Sequence, residues 1–312
     1  MGDNNLSHKH LLNRIKEAAY QSAVGKEKVS LLSVTEEKRL AEAYQVGAAR
    51  VQRLAMEAEI LPARYMRNFG TMGFEGQLAL LNARVGIVGS GGLGGTVVEL
   101  LVRMGVGHLV VVDFDQFEDN NLNRQLLCTE TNLGESKTKA AWERAAQLNS
   151  AVTVTPIENK LSPDNGRDFF GSCDMLVDAL DNMSARFALQ DLARKTLGLP
   201  LVHGAIGGFT GQVTTIFPED RGLETIYGSL YQKWQEKQAS REQTQADGAA
   251  EESEVPDKLA EVELGNPAGT PTLTAAWQVQ EVVKCLTGQG ELLRHRLLYL
   301  DSFSGLVEVI EY

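Results

Sequence analysis

The chain has 312 residues, of which 43% are hydrophobic and 23% are charged, ordinary values for a globular protein. Its formal net charge of −11 argues against a nucleic acid or an anionic membrane as the main partner. No apolar run approaches the roughly 20 residues of a membrane span, and the N-terminus lacks an apolar signal-peptide core. Only three cysteines occur, far apart, which indicates a reducing cytoplasm and excludes a four-cysteine zinc site within one chain.

Residues 1–60 are predicted to form an N-terminal helical extension. Leu11, Ile15 and Ala18 mark one amphipathic helix. A second helix is predicted from Ser33, where the spacing to Glu36 fits a capping box. Two interpretations remain open at this point, because the extension could pack on the main domain or a second subunit, or could hold a substrate.

A βαβ unit follows within residues 85–115. A short apolar run ends in glycines, and Leu93, Val97 and Leu101 then recur at helical spacing. Glycine is required where a strand turns into a helix that receives a phosphate, because a Cβ would keep the phosphate from the backbone N–H groups. The glycines have the spacing G-x-G-x-x-G, with one more between them: Gly89, Gly91, Gly92 and Gly94.

Asp113 ends the second strand of this unit. An acidic side chain at that place accepts hydrogen bonds from ribose hydroxyls. Strand, glycines, helix and acid together predict a nucleotide-binding unit, although they do not identify the nucleotide.

Strands and helices continue to alternate along residues 61–312, which predicts one main domain. The fold class is therefore α/β, a Rossmann-like, mostly parallel sheet with helices on both faces. Two antiparallel strands are predicted at residues 297–300 and 306–310. Residues 232–263 are almost all polar, with nine acidic and four basic side chains, which predicts a mobile crossover insertion. It is interpreted either as a solvated linker or as a loop that covers a substrate.

Several short motifs resemble the MoeB/ThiF/HesA family, the bacterial relatives of ubiquitin-activating enzymes. The resemblance covers about residues 64–312. The matching motifs are Arg64–Arg67, Gly89–Gly94, Asp113–Asp115, Asn121–Gln125, Lys137 and Asp181–Asn182. It implies an adenylyltransferase that uses ATP and Mg²⁺ to activate the C-terminal carboxylate of a small ubiquitin-like, sulfur-carrier-type protein or a peptide.

The resemblance also implies roles for individual residues. Arg124 and Lys137 would supply positive charge, which the reaction needs because a carboxylate approaches a polyanion. Asp181 matches a magnesium ligand, and Arg67 matches an arginine that reaches the triphosphate of the partner subunit, which implies a homodimer. The nucleotide would be bound by the four glycines and by Asp113, Asp115, Asn121 and Gln125.

Each of these residues also has a purely structural interpretation. Asp181 or Asn182 could cap the following helix, Lys137 could be a solvated helix residue, and Arg124 could pair with Glu118 or Asp119. Taken together at the family spacing, the functional interpretation is preferred.

The chain departs from the family pattern in its cysteines. The two Cys-x-x-Cys pairs that bind structural zinc in many members are absent, and residues 222–269 contain no cysteine. The resemblance therefore supports adenylation but not a covalent thioester step. The acyl substrate and the acceptor of the activated acyl group are not identified by the sequence.

Three alternatives stay open at this stage. An NAD-dependent oxidoreductase could use the same βαβ unit, but it gives no role to Arg124, Lys137 or Asp181. A tRNA-modifying ThiF-like enzyme shares the nucleotide site, and the acidic balance argues against it. A non-catalytic binding module for a ubiquitin-like partner is the third.

Overall fold

The structure is a computed structural model that describes residues 2–162, 164–246 and 264–312. Residues 2–62 form a small α/β unit, which we call the N-terminal unit: α1 (Gly2–Ala18), β1 (Tyr20–Val24), β2 (Glu27–Leu32), α2 (Val34–Ala43), α3 (Ala48–Glu57) and β3 (Ile60–Pro62).

The three strands of the N-terminal unit are an addition to the predicted helices. β1 and β2 pair as an antiparallel hairpin around Gly25, and β3 joins β2 in parallel. β1 is polar and mostly exposed, so its sequence lacks the apolar alternation by which a strand is recognised. One bond of the predicted capping box is present, because the Ser33 hydroxyl accepts from the Glu36 backbone N–H at 3.2 Å. The Glu36 carboxylate accepts from Arg39 at 2.7 Å.

The remainder of the described chain forms one sheet and the helices that cover it. The strands are β4 (Arg84–Val88), β5 (His108–Val112), β6 (Thr153–Ile157), β7 (Met175–Asp178), β8 (Leu201–Gly207), β9 (Thr210–Ile216), β10 (Arg296–Asp301) and β11 (Leu306–Glu311). The helices are α4 (Phe69–Asn82), α5 (Gly92–Met104), α6 (Lys137–Leu148), α7 (Gly166–Phe170), α8 (Met183–Asp191), α9 (Leu223–Ile226), α10 (Gly228–Ala246) and α11 (Gly269–Thr287).

The strand order is β11-β10-β9-β8-β7-β4-β5-β6. Strands β4 to β8 are parallel, and β9 to β11 run antiparallel to their neighbours. From β4 the chain extends the sheet first through β5 and β6, then returns to add β7 on the other side of β4. In an open α/β sheet, the carboxyl ends of the strands at such a switch point are where ligands bind.

Helices cover both faces of the sheet. Val85 and Leu109 pack in one buried cluster with residues of α5 and α11. Val110 and Leu176 point to the other face and pack with Phe170 of α7. The predicted fold class is confirmed, including the antiparallel strands at the C-terminal end.

The predicted crossover insertion is partly helical. Its residues 232–246 belong to α10, and residues 247–263 lie outside the described residues. No helix in the described ranges combines the length and the apolar character that crossing a membrane requires.

Candidate functional site at the carboxyl ends of β4, β5 and β7

The glycine turn between β4 and α5 leaves no room for a side chain at two positions. Gly89 has a φ of 91°, and a Cβ there would lie 2.5 Å from the Ala179 carbonyl oxygen. A Cβ at Gly94 would overlap the carbonyl oxygen of Gly89. The N-cap residue, Gly91, has no side chain with which to cap the N–H groups of the helix that starts at Gly92. The first-turn N–H groups of α5 are therefore available to an anion.

Asp113 follows β5 and holds the glycine turn in place. Its Oδ2 accepts hydrogen bonds from the backbone N–H of Ser90 at 2.6 Å and from the Ser90 hydroxyl at 3.1 Å. Its Oδ1 accepts a third from the backbone N–H of Asp115 at 2.9 Å. A carboxylate offers about four acceptor sites, and Asp113 is still partly exposed. It thus retains capacity for a ribose hydroxyl.

Lys137 lies at the same edge, at the first position of α6. Its Nζ lies 3.0 Å from Oδ2 of Asp115, and its side chain is 8% exposed whereas that of Asp115 is 47% exposed. The backbone N–H of Lys137 also donates to the Asp115 carbonyl oxygen at 3.2 Å. The buried methylene groups of Lys137 thus place its ammonium beside an exposed carboxylate. A phosphate could compete with that carboxylate for the ammonium from the solvent side.

Arg124 lies against the first turn of α5. A Cβ at Gly92 would lie 3.8 Å from its Cγ. Its Nη1 donates to the Asn120 carbonyl oxygen at 2.7 Å and to Oδ1 of Asn123 at 2.9 Å. Within the described ranges these are the hydrogen bonds that its guanidinium makes, so Nε and Nη2 are left for a ligand. The ion pair with Glu118 or Asp119, which was the structural alternative for Arg124, is not among these contacts.

Asn121 and Gln125 are buried behind Arg124. Asn121 accepts a hydrogen bond from the Glu118 backbone N–H at 3.2 Å and so closes the turn that starts the segment. The Gln125 side-chain amide lies 3.5 Å from the Cβ position of Gly91, and its Oε1 has no partner among the described residues. A buried acceptor without a partner costs free energy, so this oxygen is suited to a donor group of a ligand.

Asp181 is exposed in the loop between β7 and α8. Its Oδ1 accepts a hydrogen bond from Nδ2 of Asn182 at 3.2 Å. Asn182 itself caps α8, because its Oδ1 accepts from the Ala185 backbone N–H at 2.8 Å. Asn182 therefore has the structural role that the sequence allowed, while Asp181 presents a carboxylate at the edge of the sheet. One carboxylate together with phosphate oxygens and water suits Mg²⁺.

A buried hydrogen-bond network lies beneath this loop, and the sequence did not predict it. Asp178 accepts from the Leu180 backbone N–H at 3.0 Å, and its Oδ2 lies 2.6 Å from Nδ1 of His203. Arg186 donates to the carbonyl oxygens of Leu180 and Gly204. Burial alone would raise the pKa of Asp178, but Arg186 and His203 outweigh it and lower that pKa, while burial lowers the pKa of His203. The loop that carries Asp181 is thus fixed from below by an ionised Asp178.

Arg67 is not brought to this site within its own chain. It is exposed in the turn before α4, and no described residue bonds to its side chain. Its neighbour Asn68 donates to Gln77 at 3.0 Å, and Gln77 donates to the Met104 carbonyl oxygen at 2.8 Å, at the C-terminal end of α5. The glycine turn is at the N-terminal end of that 13-residue helix, roughly 20 Å away.

The three thiols are buried or half-buried: Cys128, Cys173 and Cys285. Burial raises the pKa of all three, to about 11 for Cys173. Cys128 feels the charge of Lys137, yet burial outweighs that effect. A thiol with a raised pKa is a poor nucleophile at neutral pH.

Residues 63–312 match the ThiF family. The SAMP-activating enzyme E1 of Haloferax volcanii is 36% identical over 251 residues, which is 80% of this chain and 84% of that protein. The probable adenylyltransferase/sulfurtransferase MoeZ of Mycobacterium tuberculosis is 33% identical over 77% of this chain, and the match spans 57% of MoeZ. A sulfur carrier protein adenylyltransferase of Thermus thermophilus is 43% identical over 142 residues, 46% of this chain and 52% of that protein.

The fold is shared with solved structures, among them those of MccB and PaaA. The crystal structure of Escherichia coli MccB with ATP has a TM-score of 0.62 at 19% identity, covering 98% of this chain and 88% of MccB. That of PaaA has a TM-score of 0.60 at 18% identity, covering 80% of this chain and 72% of PaaA. The MccB match includes most of the N-terminal unit, which precedes the region matched by the family.

Proposed function

The chain belongs to the ThiF family, and from this premise we propose that it is an ATP-dependent adenylyltransferase. Its substrate would be the C-terminal carboxylate of a small ubiquitin-like, sulfur-carrier-type protein or a peptide. The names of its relatives support this class of substrate. The observation that carries the proposal is the convergence of the open glycine turn, Lys137 and Arg124 at the carboxyl ends of neighbouring strands.

The reaction joins two anions. A carboxylate oxygen of the substrate attacks the α-phosphorus of ATP, the bond from that phosphorus to the bridging oxygen of the β-phosphate breaks, and pyrophosphate leaves with the bonding electrons. The products are an acyl-adenylate and pyrophosphate. Positive charge that is fixed before the reaction stabilises the negative charge that develops on the phosphate oxygens.

The residues at the site divide this work. Asp113 would hold the ribose, and the N–H groups that follow the glycine turn would bind phosphate oxygens. Lys137 offers a point charge, whereas Arg124 offers a planar fork through Nε and Nη2. Asp181 would hold Mg²⁺, which when bound neutralises phosphate charge.

The position of Arg67 favours a dimer with composite sites. Within one chain this exposed guanidinium lies at the far end of α5 from the glycine turn. We propose a homodimer in which each Arg67 completes the site of the partner subunit. The three unpaired thiols are compatible with the cytoplasm, where we place the protein.

The test is ATP–pyrophosphate exchange with candidate ubiquitin-like proteins and peptides. We expect exchange that depends on a free C-terminal carboxylate and disappears when the C-terminus is amidated. Tight NAD binding without ATP binding, measured by calorimetry, would instead support the oxidoreductase alternative. ATP binding without any exchange across the candidates would favour a non-catalytic binding module, and exchange driven by tRNA would favour the tRNA-modifying alternative.

A further inference from the structure

A chain of buried hydrogen bonds joins the N-terminal unit to the main domain. It begins at Glu37 of α2, whose two carboxylate oxygens accept from Nε2 of Gln52 at 3.0 and 2.9 Å. Oε1 of Gln52 accepts from the Tyr65 hydroxyl at 3.0 Å, and that hydroxyl accepts from Nδ2 of Asn149 at 2.8 Å. All four side chains are at most 2% exposed. Because buried polar groups are costly when unpaired, such a chain fixes the relative position of the elements that it joins.

This hydrogen-bond chain passes through Tyr65, two residues before Arg67 in the same turn. Tyr65 packs directly against Gly105, the residue that follows α5. Asn149, at the end of α6, also donates to the Val102 carbonyl oxygen at 3.1 Å. Tyr65 is therefore held from one side by α3 of the N-terminal unit and from the other by α5 and α6.

Two further contacts complete the support of this turn. Arg64 donates to the Leu148 carbonyl oxygen at 3.1 Å, and its Nη2 lies 3.5 Å from Oε2 of Glu37. Asn68 is tied through Gln77 to the end of α5. The residues before and after Arg67 are thus anchored, while Arg67 itself stays exposed.

The N-terminal unit lies before the residues matched by the family, yet it supplies Glu37 and Gln52 to this support. We propose that the N-terminal unit holds the Arg67 turn in the position that adenylation requires, a role that we call the brace. In this role Gln52 and Tyr65 are positioning residues. They act through Arg67, so this inference rests on the proposed function. Neither side chain would touch a nucleotide of either subunit, because both are fully buried.

Removing one hydrogen bond from this buried network should make the Arg67 turn more mobile without leaving a cavity in the core. Tyr65→Phe keeps the ring against Gly105 but removes the hydroxyl, which leaves Oε1 of Gln52 without its donor. Gln52→Met opens the same chain from the N-terminal unit with little change of volume. Tyr312→Phe is a matched control, since its hydroxyl lies 2.8 Å from Thr214 Oγ1 in a partly buried pair that does not contact this network.

The experiment measures exchange kinetics of the full chain, normalised to the folded fraction. We expect Tyr65→Phe and Gln52→Met to lower kcat by about tenfold, with KM for ATP within about twofold, and Tyr312→Phe to change neither. Each variant is then combined with Arg67→Ala. If the brace acts through Arg67, adding Tyr65→Phe or Gln52→Met to Arg67→Ala should not lower kcat further.

The outcomes separate the two proposals. A wild-type protein without exchange contradicts the proposed function. With wild-type exchange present, an unchanged kcat in Tyr65→Phe and Gln52→Met, or losses that multiply with that of Arg67→Ala, would overturn the brace. If one variant does not fold, the other still decides, because both interrupt the same chain. If both fail to fold, the N-terminal unit is required for folding itself and the positioning role is withdrawn.

Discussion

Replacing Lys137 by methionine separates the catalytic role of its charge from its structural role. The substitution keeps most of the buried stem and removes the ammonium. The ion pair with Asp115 should contribute only about 0–1 kcal/mol to folding, because the Asp115 side chain is 47% exposed and screened by solvent. We therefore expect a melting temperature close to that of the wild type.

The exchange rate should respond much more strongly than the stability. By analogy with the loss of a single preorganised oxyanion donor, about 3–4 kcal/mol of transition-state stabilisation would disappear, which is roughly a 10²–10³-fold loss of kcat. Lys139→Met is the matched control, because this lysine is on the same helix with a side chain that is 52% exposed and paired with Glu135 at 3.1 Å. The assay is pyrophosphate exchange at saturating ATP. If Lys137→Met kept a third of the activity, or Lys139→Met lost as much, the assignment of the charge would be refuted.

Four further predictions concern ribose binding, the dimer, the thiols and a buried carboxyl. Asp113→Ala should weaken ATP binding in calorimetry while circular dichroism still shows a folded chain, and unchanged affinity would remove Asp113 from the site. Arg67→Ala should lose about a hundredfold in exchange rate while still binding ATP. When the Arg67→Ala and Asp181→Ala variants are mixed, up to about half of the active sites in the mixed dimers should regain activity. If the subunits exchange and no activity returns, Arg67 does not act in trans. Replacing all three cysteines should leave exchange largely intact, and elemental analysis should find no stoichiometric zinc; a folded but inactive triple variant would reveal a nucleophilic thiol. Burial raises the pKa of Glu37 above 4.5, so its contribution to stability is present at low pH and is lost as the pH rises through the folded-state pKa. Glu37→Gln should therefore gain in melting temperature relative to the wild type as the pH rises above 4.5, and a constant difference would contradict the shift.

The βαβ unit was predictable because its determinants are local. The glycines from Gly89 to Gly94, the helical spacing that follows them and Asp113 lie within one short stretch of sequence. The N-cap at Ser33 is local in the same way, since its hydroxyl accepts from a backbone group three residues later.

What could not be predicted depends on contacts between distant parts of the chain. The bond between Gln52 and Tyr65, and that between Tyr65 and Asn149, join residues whose sequence positions carry no signal of pairing. His203 is an ordinary strand residue in the sequence, and only the parallel pairing of β7 with β8 places it beside Asp178. The sequence indicated charges for the site, whereas the buried networks that hold them had to be seen in the structure.

The most direct test of adenylation is intact-mass analysis of the acyl substrate. The wild-type chain is incubated with ATP, magnesium and a ubiquitin-like protein that supports exchange, with a pyrophosphatase to draw the reaction forward. We predict that the substrate gains the mass of one adenylyl group at its C-terminus and that hydroxylamine converts this species to the hydroxamate. The Lys137→Met variant should form it far more slowly. Conversion of ATP to ADP and phosphate with an unmodified substrate would contradict the account.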